Sequence, residues 1–216
     1  MGYGWESERV HVSTLAVGSL DALRAMVSSA TLVVAPSADV VVVPTAAAFT
    51  GAAEAALVLA RALEGLDARV EALMVTDRAA SDEPYFVSRL ADADLVVLGD
   101  GSALHARSVW RHSRVGEAIN AATRLVAVGS VASVLGEVMI DPRGGAPTTG
   151  LNYRAGVALC APASLEQLGR TRLLLGDDVT LVVLGSSGVL EWREGTWRVV
   201  CARDVEVTRG ARVITL

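Results

Sequence analysis

Apolar residues recur along the chain in short uninterrupted runs, and these runs alternate with segments of helical spacing. Runs of roughly four to eight apolar residues between turn residues are typical of buried strands, and apolar positions three or four apart are typical of helices that pack on a sheet. Strands that alternate with helices of about ten residues indicate βαβ crossovers. We therefore predict an α/β fold with a doubly wound, mainly parallel sheet and flanking helices.

The pattern predicts five strands in the parallel part of the chain, at residues 10–17, 39–43, 69–75, 95–98 and 125–128. It predicts helices at residues 20–29, 52–63, 84–90, 103–110, 115–122 and 165–175. After the last helix the chain is rich in strands, which are separated by Gly, Asp or Arg-Gly turns. These predicted strands are residues 179–184, 189–192, 197–200, 205–207 and 213–215. We expect them to form an antiparallel ribbon appended to the parallel sheet.

Residues 141–150 (DPRGGAPTTG) read as a loop, too short to be a linker between domains, so we expect one domain over residues 1–216. Hydrophobic residues make up 52% of the chain but aromatic residues only 4%, so its core must consist of Val, Leu and Ala. The net charge of −5 argues against a nucleic-acid surface, which needs clustered cations. Cys160 and Cys201 have no ligand cluster around them and read as free thiols.

The polar start of the chain does not have the layout of a signal peptide, and no apolar run approaches the roughly 20 residues that cross a bilayer. We therefore expect a cytoplasmic protein without membrane partners. No feature of the sequence indicates a cofactor.

Two predicted strand ends carry the residues of most interest, because ligands of open α/β sheets bind beyond the carboxyl ends of the strands. The first strand end is Gly99-Asp100-Gly101-Ser102, and the second is Gly129-Ser130-Val131-Ala132-Ser133. A sharp turn from a strand into a helix can raise a nucleophile above the sheet and direct amides at an oxyanion. The other interpretation is that both are ordinary βα turns.

Four segments, taken in order, resemble one known family. They are VVVVPTAAAF (residues 40–49), ADADLVVLGDGSAL (91–104), RLVAVGSVA (124–132) and GDDVTLVV (176–183). Together they are similar to the serine peptidases that include dipeptidase E (aspartyl dipeptidase) and cyanophycinase, on the class I glutamine amidotransferase-like fold. The resemblance implies a serine nucleophile in a Gly-x-Ser-Ala-Gly turn, a catalytic histidine and an acidic residue that orients it.

The chain departs from that family pattern at the catalytic positions. Val131 stands at the nucleophile position and Ser133 at the position of the following glycine. The segment before the helix at 165–175, where the family has its histidine, contains none. Asp178 corresponds to the acidic residue but has no histidine to orient. A valine side chain has no atom that can attack a carbonyl.

We therefore predict a non-catalytic relative of these peptidases, a binding or regulatory protein that retains a vestigial pocket for a small molecule or short peptide. The pocket residues would be Gly99, Asp100, Gly101, Ser102, Ser130 and Val131. The alternative is an active serine hydrolase on acidic or aspartate–arginine peptides, with Ser130 or Ser133 as nucleophile. The resemblance also makes a homodimer an expectation.

Three smaller predictions concern individual side chains. Asp100 either adopts a positive φ or places its carboxylate over the pocket. His105 and His112, seven residues apart, would share a face if one helix continued through both, but no third ligand has a supportive spacing, so we expect no metal. Arg143 is either a solvated loop residue or a contact for an acidic ligand.

Overall fold

The computed structural model of the chain describes residues 12–160, 164–210 and 212–216. Its helices are α1 (Leu20–Ser28), α2 (Ala52–Ala62), α3 (Pro84–Ala91), α4 (Ala103–Trp110), α5 (Arg114–Ala121) and α6 (Leu165–Leu174). Its strands are β1 (Ser13–Val17), β2 (Ala38–Val43), β3 (Ala68–Ala72), β4 (Leu95–Leu98), β5 (Arg124–Val128), β6 (Val138–Ile140), β7 (Pro147–Thr149), β8 (Ala158–Cys160), β9 (Thr180–Leu184), β10 (Val189–Arg193), β11 (Thr196–Cys201), β12 (Val205–Arg209) and β13 (Arg212–Val213).

The strands form two sheets. The main sheet has the order β11-β10-β1-β5-β4-β2-β3. Its five strands β1, β5, β4, β2 and β3 are parallel to one another. The hairpin of β10 and β11 extends this sheet antiparallel to β1. The second sheet has the order β13-β12-β9-β8-β6-β7, with β6, β8 and β9 parallel. The α/β fold class predicted from the sequence is confirmed.

Both faces of the main sheet are buried because successive residues of its strands point to opposite sides. Val40, Val42 and Val97 pack against α1 and α2 on one face. Val41 and Val96 pack on the other face, in a cluster that also contains residues of α4, α5 and the second sheet. Helix α6 covers the far face of the second sheet through Leu168. A β-branched run that is buried on both sides is the expected sequence of a central parallel strand.

Serine side chains fix the starts of four helices. The hydroxyls of Ser19, Ser102 and Ser113 each accept a hydrogen bond from a backbone amide in the first turn of α1, α4 and α5. Ser164 forms a reciprocal capping box with Gln167 at the start of α6. Such caps satisfy amides that the helix itself leaves without partners.

The structure corrects the predicted arrangement of the ribbon. The strands after α6 do not form one appended ribbon: β9, β12 and β13 belong to the second sheet, and β10 and β11 to the main sheet. Strands β6 and β8 were not predicted, and the predicted loop at 141–150 contains β7. These strands have three residues each, too few for a periodic pattern to show. The start of the predicted strand at 10–17 falls partly outside the described residues.

The segment after β5 is also different from the prediction. The chain continues into a 3-10 helix, Gly129–Leu135, and not into the α-helix that a nucleophile turn normally feeds. Six of its seven residues are buried between the main sheet and the second sheet. The residue with a positive φ in this turn is Gly129, at +64°.

Candidate functional site: two glycine turns joined by a carboxylate

The turn after β4 is held against the end of β2. The Gly99 amide donates to the carbonyl of Val43 at 3.0 Å, and the Ser102 amide donates to the carbonyl of Ala46 at 2.7 Å. Gly101 has a φ of +144°, and a Cβ atom there would lie 2.5 Å from the Ala46 carbonyl oxygen. This close approach requires glycine, so the backbone fixes the position of the turn.

The turn after β5 lies beside it, because β4 and β5 are neighbours with Leu98 paired to Ala127. A Cβ atom on Gly129 would collide with the carboxyl group of Asp100. Gly129 therefore allows both the positive φ and the approach of a side chain from the neighbouring turn.

The carboxylate of Asp100 connects the two turns. Its Oδ1 atom accepts the backbone amide of Gly101 at 2.7 Å and the backbone amide of Ser130 at 2.8 Å. The hydroxyl of Ser130 also lies 2.8 Å from Oδ1, and 2.5 Å from the carbonyl oxygen of Gly101. The φ of Asp100 is not positive. Of the two alternatives given by the sequence, the structure therefore shows the second, in which the carboxylate lies over the turn. Asp100 is exposed and Ser130 is half-buried.

Val131, which the resemblance places at the nucleophile position, is a core residue. Its side chain has no solvent exposure and belongs to the same apolar cluster as Ala132 and Val134. Ser133 is only 3% exposed, and its hydroxyl donates to the carbonyl of Ser130 at 2.7 Å. Val131 therefore faces the protein interior, and the hydroxyls of Ser130 and Ser133 on either side of it are engaged with backbone or carboxylate acceptors.

Neither described histidine meets these serines. The Nε2 atom of His105 donates to the carbonyl of Thr76 at 2.8 Å, and its ring packs against Phe49 with centroids 4.5 Å apart. Helix α4 ends at Trp110, so it does not carry His105 and His112 on one face. His112 has a φ of +55°, and its Nε2 atom accepts from the side chain of Arg111. His11 lies outside the described residues.

Asp178 lies away from the two turns that follow β4 and β5 (residues 99–102 and 129–133), which we call the turn pair. It is exposed and lines a depression with Glu137 and Gly156, at the amino ends of β6, β8 and β9. The turn pair occupies the carboxyl ends of β4 and β5. The structure therefore brings Asp100 and Ser130 together but does not bring Asp178 to them.

Arg143, one of the side chains singled out in the sequence, and Trp197 both have partners within the chain. Arg143 contacts its neighbour Asp141 through both its amide and its guanidinium, and the amide hydrogen bond in particular lowers the pKa of that carboxyl. Trp197 is buried and donates its indole N–H to the carbonyl of Ala155 at 3.0 Å.

Two features of the described residues are not predicted by the sequence. A cavity of about 540 Å³ lies between α1 and the β10–β11 hairpin, and Met26, Val200, Cys201 and Arg203 are among its lining residues. The other feature is Arg154, which is only 2% exposed. Both arise from contacts between segments distant in sequence, and no local pattern indicates them.

The described residues, 12–160, 164–210 and 212–216, contain neither a cluster of metal ligands nor a helix that could cross a membrane. No group of three His, Cys, Asp or Glu side chains there is arranged to hold a metal ion. None of the helices in that part of the chain has the length and apolar character needed to cross a bilayer.

The two sheets and their flanking helices match the α/β fold of solved peptidase structures. The chain is similar to the crystal structure of a peptidase from an acI-B1 Actinobacterium, with a TM-score of 0.74 and 19% identity over 95% of this chain and 94% of that one. It is also similar to the crystal structure of a protein described as a peptidase E from Listeria monocytogenes EGD-e, with a TM-score of 0.63 and 13% identity over 88% of this chain and 98% of that one. No protein-family model and no curated protein matches the chain. At these identities the similarity establishes the fold alone.

Proposed function

We propose that this protein is a non-catalytic member of the peptidase E-like fold that acts as a binding or regulatory protein. The observation that carries the proposal is the burial of Val131, which has no exposed surface at the position where the resemblance implies a nucleophile. Nucleophilic catalysis of acyl transfer needs an oxygen or sulfur atom at that position and a base within hydrogen-bonding distance. Valine supplies neither.

The ligand we propose is a small molecule or a short peptide that binds at the carboxyl ends of β4 and β5. Ligands of open α/β sheets bind at this edge, and the exposed turn Asp100–Ser102 leaves it accessible. We propose action in the cytoplasm, without nucleic acid or membrane as partner. A homodimer stays a prediction.

The competing function is that of a serine hydrolase with a displaced nucleophile. One contact favours it: the hydroxyl of Ser130 lies 2.8 Å from a carboxylate oxygen. Three observations weigh against it. The same hydroxyl is held by the Gly101 carbonyl at 2.5 Å, and the ring nitrogen Nε2 of His105 is already bonded to Thr76. Ser133 is nearly buried and is bonded to its own turn.

Peptide hydrolysis distinguishes the two functions. The purified chain would be incubated with aspartyl dipeptides and with β-aspartyl-arginine beside an active peptidase E, and Ser130→Ala and Ser133→Ala would be assayed in parallel. Ser108→Ala is the matched control, since Ser108 is exposed on α4 and bonds only a carbonyl of its own helix.

We expect no turnover by the wild-type chain while the control enzyme is active. Turnover that disappears in Ser130→Ala or Ser133→Ala, and persists in Ser108→Ala, would establish a displaced active site and would contradict the proposal.

A further inference from the structure

Two backbone amides, from the turns that follow β4 and β5, converge on one point at the candidate site. The amides of Gly101 and Ser130 both donate to the same oxygen atom, Asp100 Oδ1, at 2.7 and 2.8 Å. Convergent backbone amides form concavities that bind anions, and these distances are those of amide donors around an oxyanion. The anion that occupies this concavity belongs to the chain itself.

We propose that Gly101 and Ser130 form an anion-binding site that the carboxylate of Asp100 keeps filled, so that Asp100 excludes acidic ligands from the turn pair. The inference rests on the proposed function in one respect, that the ligand site is this turn pair. It adds the ligand class: neutral or cationic compounds are accepted, and carboxylates are excluded.

The local backbone is shaped around the carboxylate. Gly129 leaves free the space into which the Asp100 carboxyl fits, and any Cβ atom there would collide with it. Its φ of +64° also presents the following amide, that of Ser130, to the carboxylate. The hydroxyl of Ser130 lies 2.8 Å from the same oxygen and 2.5 Å from the Gly101 carbonyl, and its single proton serves one of these acceptors at a time. The site is therefore shaped for an anion by the space at Gly129 and by the two backbone amides.

An external anion has two disadvantages at this site. Asp100 is tethered next to the amides, and a short tether supplies an effective concentration on the order of millimolar or higher. The Oδ2 atom takes no part in the two amide bonds to Oδ1, and no ion pair with Asp100 is present among the described residues, so an approaching anion also meets the negative charge of the carboxylate. An amine or a guanidinium would meet the same atom favourably.

The test is an NMR titration of the full chain with sodium acetate at constant ionic strength, read at the backbone amides of Gly101 and Ser130. Wild type, Asp100→Ala and Asp100→Asn would be compared. The matched control is Asp67→Ala, which removes an exposed carboxylate beside the amino end of β3, at the opposite edge of the sheet. Asp100 has no positive φ, so alanine fits its backbone.

In Asp100→Ala, we expect both amides to shift saturably with acetate, with an affinity at least about tenfold above that of wild type and of Asp67→Ala. Asp100→Asn keeps a side-chain oxygen over the amides, so we expect it to take up acetate less well than Asp100→Ala.

Three results would overturn the inference: equal acetate binding by wild type and Asp100→Ala, no shift of either amide in a folded Asp100→Ala, or binding by Asp100→Asn as strong as by Asp100→Ala. None of these results depends on whether the chain hydrolyses peptides, so failure here and failure of the proposed function are separate outcomes.

Discussion

Asp100 Oδ1 lies 2.8 Å from both the backbone nitrogen and the hydroxyl oxygen of Ser130, and this contact joins the turns that follow two neighbouring strands. In a peptidase that uses this edge of the sheet, the amides near the nucleophile must be open to the substrate. Here a side chain of the protein occupies two amides at this edge, and Val131, which the resemblance places at the nucleophile position, lies in the core. Burial of Val131 and occupancy by Asp100 therefore both support the proposal that the chain is not a peptidase.

Gly129→Ala tests the fit between Gly129 and the Asp100 carboxyl. We expect Gly129→Ala to lower the free energy of unfolding by more than Gly195→Ala does. Gly195→Ala should cost about 1 kcal/mol, which is the cost of an unfavourable φ alone. Gly195 is the matched control because its φ is +84° and nothing lies within 4 Å of an added Cβ. Urea unfolding of both variants gives the comparison.

We attribute the additional destabilisation by Gly129→Ala to a collision between the new Cβ atom and the Asp100 carboxyl. A double-mutant cycle with Asp100→Ala measures this contribution. Removal of the carboxyl should recover part of the excess, since the colliding atoms are then gone. Strictly additive effects of the two substitutions would contradict the contact.

Val131→Ser restores a hydroxyl at the nucleophile position without restoring activity. We expect no peptide hydrolysis, and a decrease in the free energy of unfolding of roughly 1–3 kcal/mol, because a hydroxyl is buried among apolar side chains. Val200→Ser, at a side chain that is 43% exposed, is the matched control and should cost much less. Hydrolysis by Val131→Ser would show that the rest of a catalytic site is present.

Arg154 is a buried cation that connects three elements. Its guanidinium donates to the Thr14 hydroxyl at 2.6 Å and to the Asn120 side chain at 2.9 Å, and it lies 4.9 Å from the ring centre of Trp192. Burial lowers the pKa of this arginine. The Asn120 carbonyl, in the last turn of α5, accepts from it as well.

Arg154→Met should therefore lower the free energy of unfolding by about 1–3 kcal/mol, because it leaves the buried hydroxyl of Thr14 without its donor. Arg24→Met, at an exposed pair with Asp21, should cost no more than roughly 1 kcal/mol. Equal midpoints for the two variants in urea would show that the Arg154 contacts do not stabilise the fold.

The two thiols should differ in reactivity. Burial raises the pKa of Cys160 to about 11, so at pH 8 it is almost entirely the unreactive thiol. Cys201 is half-buried and lines the cavity beside α1. With an aromatic disulfide reagent at pH 8 we expect one thiol per folded chain to react, and two after unfolding. Modification of Cys160 in folded Cys201→Ala would contradict the burial.

The sequence predicts the centre of the main sheet well, because β2, β4 and β5 are apolar runs buried on both faces. It does not predict how the later strands divide between two sheets. That division depends on pairing between distant segments, such as β10 with β1, and on strands of three residues. The placement of Val131 at the nucleophile position rests on the sequence resemblance and stays a prediction, whereas the contact of Asp100 with Ser130 depends on the adjacency of β4 and β5. Arg154 illustrates the same limit, since a charged residue in a loop is usually solvated.

The absence of an activated serine is the central claim, and reaction with a fluorophosphonate probe followed by mass spectrometry tests it most directly. An active serine hydrolase beside it would show that the probe is competent. We predict that the folded wild-type chain keeps its unmodified mass while the control enzyme gains one adduct. An adduct that peptide mapping places on Ser130 or Ser133, and that the corresponding alanine variant loses, would contradict the account.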